Sequence, residues 1–124
     1  ALVTDGSAPY SMSWNSATSS NGPHTLSATA RDVVGNTSSV QISVTVDNAA
    51  PTVSLGAPAS GATVSGTVSV QVNAGDNLGI ASVSVSVDGA SLGTDSTSPY
   101  GFTWDSKTVA DGSHTLTATA RDLA

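Results

Sequence analysis

The sequence has no cysteine, no glutamate, a single lysine and only five aromatic residues in 124. Without cysteine there are no disulfides, thiolate zinc sites or thiol nucleophiles. In a small secreted domain, that would leave the core or a bound ion to supply the stability. Positive charge is equally scarce. Arg31, Lys107 and Arg121 face nine Asp, for a net charge of −6. That balance excludes the basic stripe a nucleic-acid backbone requires and disfavours attraction to an anionic membrane surface. No apolar run approaches the roughly 18 residues of a membrane-spanning helix, so membrane insertion is not expected. No leader pattern opens the sequence, so any export signal is expected outside this stretch.

What is present is small, hydroxylated and β-branched: 22 Ser, 16 Thr, 17 Ala and 15 Val. The valines supply buriable surface that Ser/Gly-rich disordered segments lack. They also alternate. Val68, Val70, Val72 and Ala74 share one parity against Ser69, Gln71 and Asn73, and Ala81, Val83, Val85 and Val87 alternate with Ser82, Ser84 and Ser86. Period-two alternation of this regularity predicts strands with one buried face. Asp88-Gly89 between Val87 and Ala90 predicts a two-residue type I′ hairpin, whose two turn residues both need positive φ.

The sequence also repeats. Pro9-Tyr10 returns as Pro99-Tyr100, Trp14 as Trp104, His24-Thr25-Leu26 as His114-Thr115-Leu116, and Ala28–Asp32 as Ala118–Asp122, each at an offset of 90. Residues 1–34 laid on 91–124 without a gap agree at 17 of 34 positions. A constant offset with half the positions identical marks a tandem repeat with a 90-residue period. Residues 1–49 are then expected to be the later part of one repeat. Residues 50–124 are expected to be the next, lacking its last strand, with the boundary at Asp47-Asn48-Ala49-Ala50-Pro51. Strands are predicted near 52–55, 67–74, 80–87, 90–94, 99–104 and 114–121, with a seventh matching 37–46. Tyr100, Phe102 and Trp104 are expected to face inward, as are Tyr10, Met12 and Trp14 in the first repeat. Seven short strands in about 90 residues predict an all-β, immunoglobulin-like antiparallel β-sandwich.

Several motifs carry a family resemblance. Ser60–Val68, Asp76-Asn77-Leu78-Gly79-Ile80, Val87-Asp88-Gly89, Pro99-Tyr100 with Trp104, and His114–Asp122 together resemble bacterial immunoglobulin-like (Big) repeat domains, and Val46-Asp47-Asn48 before Pro51 looks like their linker. The resemblance implies a bacterial cell-surface or extracellular protein. In such a protein these modules act as non-catalytic spacers in stalks, fibres and adhesins, or as accessory modules of secreted polysaccharide-degrading enzymes. The partners it implies are neighbouring Ig-like repeats.

Two His, many Ser and nine Asp invite comparison with a hydrolase triad. His114 recurs as His24, however, and a histidine bonding back to the turn before it explains both positions, so no catalytic residue is assigned. The acidic residues read differently. In a sandwich of this type Asp47 and Asn48 of the linker, Asp76 and Asn77 of one loop, and Asp122 of another are expected at one end, an oxygen-rich set suited to an interdomain Ca²⁺ of roughly 10⁻⁴ to 10⁻³ M affinity. Asp32 and Asn36 are the equivalents in the first repeat. The alternative is that these residues only bond their own turns. Arg31 and Arg121, beside Asp32 and Asp122, are expected in cross-strand ion pairs. Trp14 and Trp104 are read as core rather than as a sugar-stacking surface. Lys107 has Ala17 as its counterpart, which excludes a repeated Lys–Asn isopeptide staple, and Asn36-Thr37-Ser38 fits a glycosylation sequon. Were Ala124 the true end, the absent seventh strand would leave an open edge that a neighbouring chain's 37–46 segment fills, giving a fibre by strand donation.

Overall fold

The alternating valines do what their parity predicts. In the computed structural model, which describes residues 2–124, half the chain is strand: β1 (Gly22–Arg31), β2 (Thr37–Val46), β3 (Thr52–Ala57), β4 (Thr67–Gly75), β5 (Ile80–Val87), β6 (Ala90–Asp95), β7 (Tyr100–Asp105) and β8 (Leu116–Asp122). The chain divides into two units, Ala1–Asn48 and Ala49–Ala124.

The second unit is a sandwich of two three-stranded antiparallel sheets, ordered β3-β4-β7 and β6-β5-β8. Val68, Val70 and Val72 of β4 and Tyr100 and Trp104 of β7 face Val83, Val85 and Val87 of β5 across one core, which buries no polar side chain. Val70 and Val83 are completely buried. Each buried valine contributes about 1.5–3 kcal/mol relative to exposure, so these alternating rows are the main stabilising feature of the unit. The Asp88-Gly89 turn has φ of 49° and 87°, the two positive angles a type I′ turn demands, and it sets Val87 opposite Ala90.

The first unit contains one hairpin, β1 paired with β2 along ten residues in the register Gly22↔Val46 to Arg31↔Thr37. It departs from the sequence expectation at residues 10–14. Tyr10 and Met12 are 70% and 51% exposed and lie outside any strand, whereas their counterparts Tyr100 and Phe102 belong to β7. The difference is one of partners. Tyr100 and Phe102 pair with Val72 and Val70 of β4, and the first unit holds no strand equivalent to β4 among the described residues.

Candidate functional site

Between β7 and β8 a short 3-10 turn (Ser106–Thr108) is capped by Asp105, whose carboxylate accepts the Lys107 N–H at 3.1 Å, while the Thr108 hydroxyl donates to the Asp105 carbonyl. Behind this turn lies His114. Its Nε2 is 2.6 Å from the Ala110 carbonyl, its Nδ1 is 2.5 Å from Asp88 Oδ2, and its ring stands edge-on to Trp104. The Asp88 carboxylate also accepts the Thr115 N–H through Oδ1, and the Asp88 N–H donates to the Thr115 carbonyl, both at 2.9 Å. A carbonyl and a carboxylate can only accept, so it is the imidazolium form of His114 that makes both contacts at once. The Asp88 carboxylate first, then the Ala110 carbonyl, raise its pKa above the ordinary 6.5. The Thr115 N–H and then His114 lower that of Asp88.

The sequence marks Asp88 as a turn residue and His114 as bonding back to the turn before it, but not the two as a pair. The 26 residues between them leave no local sequence signal. Nε2 of His114, the nitrogen a triad aims at a hydroxyl, here meets the Ala110 carbonyl.

The same local design stands 90 residues earlier. Asn15 caps Ser16–Thr18, the Thr18 hydroxyl bonds the Asn15 carbonyl, His24 Nε2 meets the Ser20 carbonyl at 2.7 Å, and Trp14 stands edge-on to His24. Asp5 binds the N–H groups of Ser7 and Ser11 as Asp95 binds those of Thr97 and Gly101. The identities at this offset thus mark residues that hold loops in shape.

The residues expected to bind metal have separate fates. Asp47 is half-buried directly after β2. Asn48 is engaged within its own unit: its N–H donates to Asn21 Oδ1 and its amide nitrogen to the carbonyls of Ser16 and Ser19. In the second unit, Asp76 and Asn77 follow β4, and Asp122 ends β8 opposite Ile80. Asp76 and Asp122 are both half-buried, with carboxylate oxygens within 4.8 Å of each other. Each spends one oxygen on the turn that follows it, Asp76 Oδ2 on the Leu78 N–H and Asp122 Oδ1 on the Ala124 N–H, both at 3.0 Å. Asp76 Oδ1 is buried with no hydrogen-bond partner. In the first unit Asp32 instead receives the N–H groups of Val34 and Asn36 and the Asn36 amide, and these donors, the amide foremost, lower its pKa.

The expected arginine ion pairs do not form. Among the described residues the ion pair present is Asp88–His114, and Asp32 is taken up by its own turn. Trp104 is in the core, as read from its parity.

Sheet order, hairpin register and the sandwich core define an immunoglobulin-like β-module. A family model described as Bacterial Ig domain matches residues 51–118. The chain belongs to that family. In fold it is similar to a solved structure described as "Structures of Clostridium thermocellum CbhA fibronectin(III)-like modules", with a TM-score of 0.61 and 28% identity over 98% of this chain. The chain spans 64% of that one. No curated protein matches the sequence.

Proposed function

We propose that this chain is a non-catalytic spacer segment of a bacterial cell-surface or extracellular protein, built to hold neighbouring modules apart. The observation that carries this reading is the recurrence of one set of loop-fixing contacts 90 residues apart, from the Asp5 and Asp95 turns to the His24 and His114 latches. In these contacts the partners are the chain's own backbone groups, so the contacts maintain the shape of the loops. A spacer needs reach rather than a particular surface. Replacing residues 1–124 in the parent protein by an unrelated β-module pair of equal span should therefore preserve the parent's function, while deleting them should impair it. A replacement that fails as badly as the deletion would contradict the spacer role.

A second reading, an accessory module of a secreted polysaccharide-degrading enzyme, is favoured by the likeness to structures that are themselves modules of a named protein, CbhA. The nature of the flanking sequence separates the two.

Calcium is proposed as a stabilising ion of the second unit. Two half-buried carboxylates within 4.8 Å repel each other unless a cation lies between them, and the partnerless Asp76 Oδ1 lacks the donor such an oxygen normally finds. An all-oxygen set suits Ca²⁺.

A further inference from the structure

We propose that Asn21-Gly22, at the entry to β1, is a self-modifying site where the folded chain converts Asn21 to aspartyl and isoaspartyl residues, with water as co-reactant. Asn21 is exposed and lies just outside the β1–β2 ladder, which begins at Gly22. Of the six asparagines it alone precedes glycine; the others precede Ser16, Thr37, Ala49, Ala74 and Leu78. A glycine leaves its backbone nitrogen without a Cβ beside it, so a side-chain amide can approach. Gly22 has φ of +120°, in the region that favours glycine, with open space where a Cβ would stand.

The reaction is intramolecular, so its two groups are already held together. The Gly22 nitrogen bonds to Asn21 Cγ and closes a five-membered cyclic imide. The Cγ–Nδ2 bond breaks, and Nδ2 leaves as ammonia, taking the proton of the Gly22 N–H. Water then opens the imide and returns a proton to the Gly22 nitrogen. Opening at Cγ gives aspartate; opening at the main-chain carbonyl gives isoaspartate, with the backbone running through Cγ. Nothing is oxidised or reduced. The fold supplies an activating donor for the attack. Asn21 Oδ1, on which negative charge develops, accepts the Asn48 N–H at 2.8 Å. Asn48 is itself held by its amide bonds to the carbonyls of Ser16 and Ser19.

The second repeat carries the hydrolysed residue at the matching place. Asp111-Gly112 stands 90 residues after Asn21-Gly22, and Gly112 has φ of +133°. An aspartyl product at position 21 therefore suits this backbone and keeps an oxygen for the Asn48 N–H. The isoaspartyl product lengthens the backbone by one carbon and withdraws that oxygen. It thereby loosens Asn48, the last residue of the first unit.

The test incubates the full chain at pH 8, folded and in urea, and maps the products by mass spectrometry. The peptide ending at Arg31 should gain about one dalton at Asn21, as two separable isomers. Conversion there should outpace every other asparagine by about tenfold or more, and should run as fast in the folded chain as in urea. Hydrogen exchange at the Asn48 amide should quicken by about tenfold in the isoaspartyl fraction and stay unchanged in Asn21→Asp. An Asn21 that converts in urea but not in the folded chain would overturn the site. Equal conversion at the other asparagines would overturn its selectivity, and unaltered Asn48 exchange in the isoaspartyl fraction would overturn the coupling to Asn48.

Discussion

His114 and Asp88 are joined at 2.5 Å through Nδ1 and Oδ2, and this contact, with the Ala110 carbonyl at the other ring nitrogen, fixes the start of β8 to the turn between β5 and β6. The consequence is a dependence of stability on pH. The folded pKa of His114 is raised above 6.5, so its contribution is complete below 6.5 and is lost as pH rises through the raised value. That of Asp88 is lowered below 3.8, so its contribution is complete above 3.8 and is lost as pH falls through the lowered value. The melting temperature of the native chain should exceed that of His114→Gln most between about pH 4 and pH 6.5, with the gap narrowing on both sides. A gap independent of pH would contradict the imidazolium assignment.

The two tryptophans should respond very differently to truncation. Trp104 is buried among the valines of a completed sandwich, and Trp104→Ala should cost about 3–5 kcal/mol in denaturant unfolding of the second unit. Trp14 is half-buried beside exposed Tyr10 and Met12, so Trp14→Ala should cost clearly less.

Two glycines should give effects of opposite sign. Gly89 has φ of +87°, and Gly89→Ala should destabilise by about 1–2 kcal/mol because a Cβ disfavours the left-handed region. Gly101 lies in β7 with open space where a Cβ would stand, and Gly101→Ala should stabilise by about 0.5 kcal/mol by restricting the unfolded chain. Urea midpoints of the two variants check both signs.

Calcium gives a further pair of outcomes. With chelator present, Asp76→Asn should raise the melting temperature by relieving the repulsion with Asp122. Ca²⁺ at ten times its dissociation constant should stabilise the native chain by about 1.4 kcal/mol and the variant little. A native chain whose melting is unmoved by several millimolar Ca²⁺ would contradict the ion.

The strands of the second unit were legible because burial there follows parity, and parity is written directly in Val68–Ala74 and Ala81–Val87. The Asp88-Gly89 turn was legible because its backbone angles restrict the residues it accepts. Tyr10 and Met12 depart from the expected inward row for a physical reason: such a row becomes a strand only when another strand supplies its hydrogen bonds. Asp88–His114 was beyond local pattern, because folding alone brings together residues 26 positions apart, whereas the approach of Asp76 to Asp122 follows from the loop placement expected of such a sandwich. The arginines illustrate a third limit. Adjacent opposite charges suggest an ion pair, yet turn N–H groups outcompeted Arg31 for Asp32.

The spacer role is tested most directly by the intact mass of the native polypeptide that carries this sequence, with peptide mapping of the residues on either side. The account predicts a chain of several modules, with further copies of the 90-residue pattern next to this segment. A native polypeptide with the 12.1 kDa mass of this chain alone would contradict it.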